Sequence, residues 1–151
     1  MASAQEYQQT VKVLIITDGK PGHVNQSLGV VFARQRILAA SGTQLLALSC
    51  PPLSVGQCLR IGLGLTNPDT LLNPCSEQIS SQEKAEQAVD AQAIPFGALE
   101  NISFVIGAGH GCHMTVLSVA RSLEAKSIVL MSPSLPSAWF DFCLIPAHDK
   151  P

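Results

Sequence analysis

Apolar residues in this chain fall into short unbroken runs, separated by stretches of helical period. Residues 11–17, VKVLIIT, carry only Lys12 and Thr17 among otherwise apolar positions. A run that is apolar without alternating is the pattern of a strand covered on both faces. Residues 44–49, 102–109 (ISFVIGAG), 127–131 (SIVLM) and 142–146 (FCLIP) repeat it. Between the first two runs, Leu28, Val31, Phe32, Ile37 and Leu38 recur at helical spacing, with Asn25 or Ser27 as N-cap and Gly42 as stop. Met114, Leu117, Val119 and Leu123 predict a second helix over 113–123. Residues 53–65 read as a short helix after Pro51-Pro52. Strand, helix and strand alternating through short links predict an α/β fold. The expected architecture is a Rossmann-like three-layer α/β/α domain with a mostly parallel sheet. It occupies residues 1–151 as a single unit, with a polar lead-in over 1–10. A variable region at 66–95 includes an exposed helix at 80–90 (SSQEKAEQAVD).

Charge narrows the partners. Charged residues make up 13% and the net charge is -2, with lysines and arginines scattered, so a basic stripe for nucleic acid is excluded. No apolar run approaches the roughly 18 residues of a membrane span, and the first residues, MASAQEYQQT, lack a secretory signal. Five cysteines, Cys50, Cys58, Cys75, Cys112 and Cys143, form no CxxC pair. Reduced thiols and a cytoplasmic location are the expectation.

The chemistry gathers in three links that follow strands, where an open parallel sheet binds its ligands. In the first, Gly19 and Gly22 allow close backbone approach, Lys20 and His23 stand beside a helix start, and Asp18 is suited to an Asx turn. A phosphate or a sugar hydroxyl fits there, with His23 as general base; a plain turn with a solvent-facing histidine is the bland alternative. The second link, GAGHGCH, fails the dinucleotide fingerprint. Cys112 stands where the third glycine belongs, and no acid ends the following strand, so a nicotinamide cofactor is not expected. His110, Cys112 and His113, with Cys143 and His148 downstream, lack a zinc spacing, and no metal is expected either. Cys112 at a helix start suits a reactive thiol or a small packing residue. In the third link Pro133 and Pro136 stiffen the chain, and Trp139, Phe140 and Asp141 offer an acceptor-binding wall or a plug for the sheet edge.

Three stretches, ITDGKPGHVNQSLG, VIGAGHGCHM and VLMSPSLPSAWFDFCLIPAHD, together resemble a bacterial glycosyltransferase family related to the plant mitochondrial-fission "elongated mitochondria" protein. An older name for these bacterial proteins is nucleoside-diphosphate-sugar epimerase. The resemblance covers residues 11–38 and 102–149 and departs at His110-Gly111, where many relatives carry a basic residue. It implies a GT-B-like architecture of two Rossmann-type domains, of which this chain is the N-terminal, acceptor-side half, inactive alone. The nucleotide-sugar donor would be gripped by a missing C-terminal domain, and the acceptor would be a sugar or lipid-linked molecule. Peripheral membrane association goes with that expectation. His23, oriented by Asp18 or Asp141, would be the catalytic group. Gly19, Lys20, Gly22, Asn25, Gln26, Gly107, Gly109, His110, His113, Ser134 and Asp141 would contact substrate. The alternatives are a non-catalytic interaction domain of the fission type and an epimerase-like enzyme; the latter normally needs the nicotinamide cofactor that the motifs disfavour.

Overall fold

The computed structural model describes residues 10–39, 44–72, 75–76, 92–93 and 99–147. The expected stop at Gly42, the helix at 80–90 and His148 lie outside them. The elements are β1 (Thr10–Ile16), α1 (Pro21–Ala39), β2 (Gln44–Cys50), α2 (Val55–Gly62), α3 (Pro68–Leu71), β3 (Cys75–Ser76), β4 (Gln92–Ala93), β5 (Ile102–Ala108), α4 (His113–Ser122), β6 (Lys126–Leu130) and β7 (Phe142–Leu144). Five strands form one sheet in the order β2-β1-β5-β6-β7, every pair parallel. A small antiparallel pair, β3 with β4, is not hydrogen-bonded into it but lies against it at β2. The Rossmann-like α/β reading holds.

Each face of the sheet has its own core. Leu14, Ile16, Val105 and Val129 point to the side where Val116, Val119 and Ala120 of α4 and Ile61 of α2 pack. Val13, Ile15, Ile106, Ala108 and Leu130 point to the side covered by Val31 of α1. The strands are thus apolar at consecutive positions because both faces are covered. Thr115, wholly buried, ties the α2 side to α4: its hydroxyl accepts from the Leu53 N–H at 2.8 Å. A capping box starts α2, with Ser54 and Gln57 satisfying one another's backbone N–H groups.

The first helix starts earlier than its pattern suggests. Pro21, not a residue after Asn25, opens α1. Proline has no N–H to leave unpaired in a first turn, and its fixed φ suits a helix. The Lys20 carbonyl closes that turn by accepting from the N–H groups of His23 and Val24, both at 3.0 Å. Ser27 is therefore no cap. It lies inside the helix, buried, with its Oγ lacking a hydrogen-bond partner. Phe32 and Ile37, expected in the apolar stripe, are exposed, because the stripe that meets the sheet runs through Leu28 and Val31. The strand expected from Ser127 begins at Lys126, which pairs with Phe104. It stops before Met131, whose φ of 76° breaks the extended run.

Candidate functional site

The chain leaves β1 toward one edge of the sheet, while β5 leads on to β6 in the opposite direction. Between β1 and β5 the strand order therefore reverses, and α1 and α4 lie on opposite faces. Such a switch point leaves a crevice beyond the carboxyl ends of the strands. The links carrying Asp18 and His23, and Gly109 and His110, flank this crevice.

Asp18 and His23 form a dyad there. His23 Nδ1 lies 3.0 Å from Asp18 Oδ1 and 3.1 Å from Oδ2. The carboxylate oxygens only accept, so the neutral ring carries its proton on Nδ1 and keeps Nε2 as the lone-pair nitrogen. Side-chain exposure is 20% for His23 and 18% for Asp18, so the pair is sheltered yet open to a small molecule. Asp18 also accepts the Lys20 N–H at 3.2 Å, which is the Asx turn its sequence position suggested, and meets Lys20 Nζ at 3.3 Å. Burial pushes its carboxyl upward, but the Lys20 N–H, the His23 hydrogen bond and the Lys20 ammonium outweigh it and hold the group below 3.8.

Gly109 completes this part of the rim. It has φ +88°, and a Cβ added there would lie 2.5 Å from His23 Cε1 and 2.6 Å from Nδ1. The imidazole therefore sits directly on bare backbone. Gly107 answers to packing instead, since an added Cβ would be 2.6 Å from Val116 Cγ2 and 3.1 Å from Cys112 Cβ. Gly19 turns the chain with φ +76°, its N–H donating to Thr17 Oγ1 at 3.1 Å. Gly22, Asn25 and Gln26 are exposed along the first turns of α1.

His110 is exposed, and its ring meets His113 edge-on at 5.7 Å. His113 is wholly buried. Its Nδ1 lies 3.0 Å from the Ser134 backbone nitrogen and 3.1 Å from Ser134 Oγ. The Ser134 N–H donates to Nδ1, which puts the ring proton on Nε2. That atom is buried without a hydrogen-bond partner. Burial holds the proton affinity of His113 below the ordinary 6.5, and the neighbouring His110 and His23 add to this. The Leu130 carbonyl pulls the other way without reaching hydrogen-bond geometry to Nε2. His113 is thus a neutral strut that ties the third link to α4, and it does not reach the open rim. Burial, with the Asp18 charge beside it, pushes the Cys112 thiol up to about 11, which suits packing and not nucleophilic attack.

Asp141 belongs elsewhere. Its carboxylate accepts from Lys126 Nζ at 2.8 Å and from the Ser127 N–H and Oγ at 2.9 Å each. Those residues begin β6, so Asp141 clamps the amino end of the sheet, opposite the dyad. Asp18, not Asp141, orients His23. Phe140 is buried against His113, ring centroids 6.2 Å apart, while Trp139 is half exposed. Among the described residues no group of three His, Cys, Asp or Glu side chains is placed to hold a metal ion, and no described helix is long and apolar enough to cross a membrane.

Sequence reasoning missed the seat of His23 on Gly109, because a contact across 86 positions leaves no local signal. It also missed Met131, a non-glycine residue at positive φ just past β6. No curated protein and no solved structure matches the chain. A family model described as "Mitochondrial fission ELM1" matches residues 21–151, a span that includes His23, Gly109 and His110 and begins three residues after Asp18. The chain belongs to the mitochondrial fission ELM1 family.

Proposed function

We propose that the chain is the acceptor-side half of a glycosyl-transfer site, with His23 as general base. The observation that carries this reading is the Asp18–His23 dyad, held against Gly109 at the switch point of the sheet. Nε2 takes the proton of an acceptor hydroxyl; the oxygen attacks the anomeric carbon of a nucleotide-sugar, and the nucleoside diphosphate leaves. Asp18 keeps the imidazole in the needed tautomer and stabilises the imidazolium. A second α/β domain supplies the donor, and holding both reactants together provides much of the acceleration. The 151-residue chain by itself is then expected to transfer nothing.

The test is transfer of label from a panel of nucleotide-sugars by the complete gene product. His23→Ala should cost on the order of 10²–10⁴ in rate while the folded structure is retained by circular dichroism. Equal rates for the variant and the parent would remove His23 from the chemistry.

A non-catalytic docking role is the second reading, and the outer face of α2 favours it. Val55, Leu59 and Leu63 lie one helical turn apart and are 61%, 55% and 73% exposed. If Leu59→Glu abolishes capture of a partner protein while His23→Ala does not, this reading displaces the first.

A further inference from the structure

On the α1 side the sheet is only partly covered. Ile128 and Leu130 of β6 face that side, and the register sets Phe142 and Leu144 of β7 directly beside them. Phe142 is 51% and Leu144 48% exposed. Parallel sheets are normally covered on both faces, so this strip is a departure. Next to it the flank of α1 is trimmed to Gly29, Val30 and Ala33. The result is an open groove of about 730 Å³, floored by Leu130 and Leu144 and bordered by Ile145 and Pro146. Among the described residues no charged side chain lines it and its one polar side chain is Gln26; Cys143 borders it with backbone, its thiol lying on the α4 side of the sheet.

We infer that this groove binds the apolar portion of an amphiphilic alcohol whose hydroxyl lies at His23, so that the acceptor of the proposed reaction is such an alcohol. The inference rests on the reading of His23 as base. Three relations support it. Gln26, the polar end of the groove, follows His23 by one turn of α1. Leu130 is in register with Ala108, the residue before Gly109, so the groove floor starts one strand spacing, about 4.8 Å, from the strand end that leads into the seat of His23. From Gln26 to Ala33 the groove follows α1 for about 10 Å, and its apolar walls match an alkyl chain while leaving the polar edges of a sugar ring without partners. The lining side chains among the described residues offer a phosphate no cation. Met131 stands at the mouth at positive φ, its N–H held by the Leu144 carbonyl at 3.0 Å, which fixes the two strand ends that form the floor.

The test is a methyl NMR titration of the 151-residue chain with geraniol, and with glycerol as an alcohol lacking an apolar tail. Geraniol should shift the methyl signals of Val30, Leu130, Leu144 and Ile145, and glycerol should not. Ala33→Trp, at an exposed helix position, should weaken geraniol at least tenfold, and Leu144→Ser should weaken it independently. Shifts spread to the α2 leucines, or equal binding by Ala33→Trp, would overturn the groove. So would a dimeric parent that Ala33→Trp turns into monomers, since a second copy would then be the occupant. His23→Gln separates the two proposals: geraniol retained in the groove together with undiminished transfer by the full gene product would defeat the base and leave the groove as a binding site.

Discussion

The imidazole of His23 lies on the α-carbon of Gly109, so the first turn of α1 and the link after β5 meet without a side chain between them. Gly109→Ala therefore carries two penalties. Alanine resists φ +88°, and its methyl would strike the ring at 2.5 Å. The backbone cost alone is about 1–3 kcal/mol. The expected result is a lower urea midpoint together with changed His23 ring nitrogen signals, because the ring must leave Asp18 to make room. Unchanged ring signals would mean that the methyl is accommodated elsewhere.

Gly107 permits a cleaner packing experiment. Gly107→Ala should destabilise by about 1–3 kcal/mol, as overpacking does, through Val116 Cγ2 at 2.6 Å. Val116→Ala removes that methyl. The double variant should then be more stable than the sum of the single effects predicts, since the two sites share one contact. Additive effects in urea unfolding would show that Cys112 Cβ, and not Val116, limits the space.

Asp141 contributes to the acid limit of stability. The Lys126 ammonium and the Ser127 N–H, against a smaller opposing effect of burial, hold its carboxyl at about 2, below the 3.8 of the unfolded chain. Between these values the unfolded state binds more protons. The contribution is complete above about pH 5 and disappears as pH falls toward 2. Asp141→Asn should cost about 1–3 kcal/mol at neutral pH through its hydrogen bonds. Lys126 is 63% exposed, and Lys126→Ala should cost no more than about 1 kcal/mol. Urea midpoints for the two variants at pH 7 and pH 3 decide this, the difference between parent and Asp141→Asn shrinking at the lower pH.

His113 gives a second window at milder pH. Its proton affinity in the folded chain lies below the unfolded 6.5, so falling pH charges the unfolded state first and draws the equilibrium toward it. The parent should lose stability between pH 7.5 and 5.5. His113→Phe, which keeps an aromatic ring beside Phe140, should lose less over the same interval in thermal unfolding. Equal losses would show that His113 is not their source.

The strand runs were legible because burial on both faces writes itself as consecutive apolar residues, as in Leu14, Ile15 and Ile16. The rim was legible for the same reason: once parallel strands are inferred, Asp18, His23 and His110 must share an end of the sheet. Boundaries were less legible. The start of α1 is governed by Pro21 and the Lys20 carbonyl, whereas Asn25 and Ser27 only imitate a cap. Asp141 was misplaced because its partner, Ser127, is fixed by how β7 lies beside β6, a relation between strands that no local pattern records. The burial of His113 depended likewise on Ser134, which the fold brings back over α4.

All five strands of the sheet run the same way, so the molecule has two poles with different duties. One pole holds clasps, Asp141 on Ser127 and the Lys12 ammonium on the Glu100 carbonyl at 2.9 Å. The other holds His23, His110 and His113. Substitutions at the first pole therefore read out as stability alone, whereas at the second the seats of Gly107, Gly109 and His113 tie the rim to the packing beneath it.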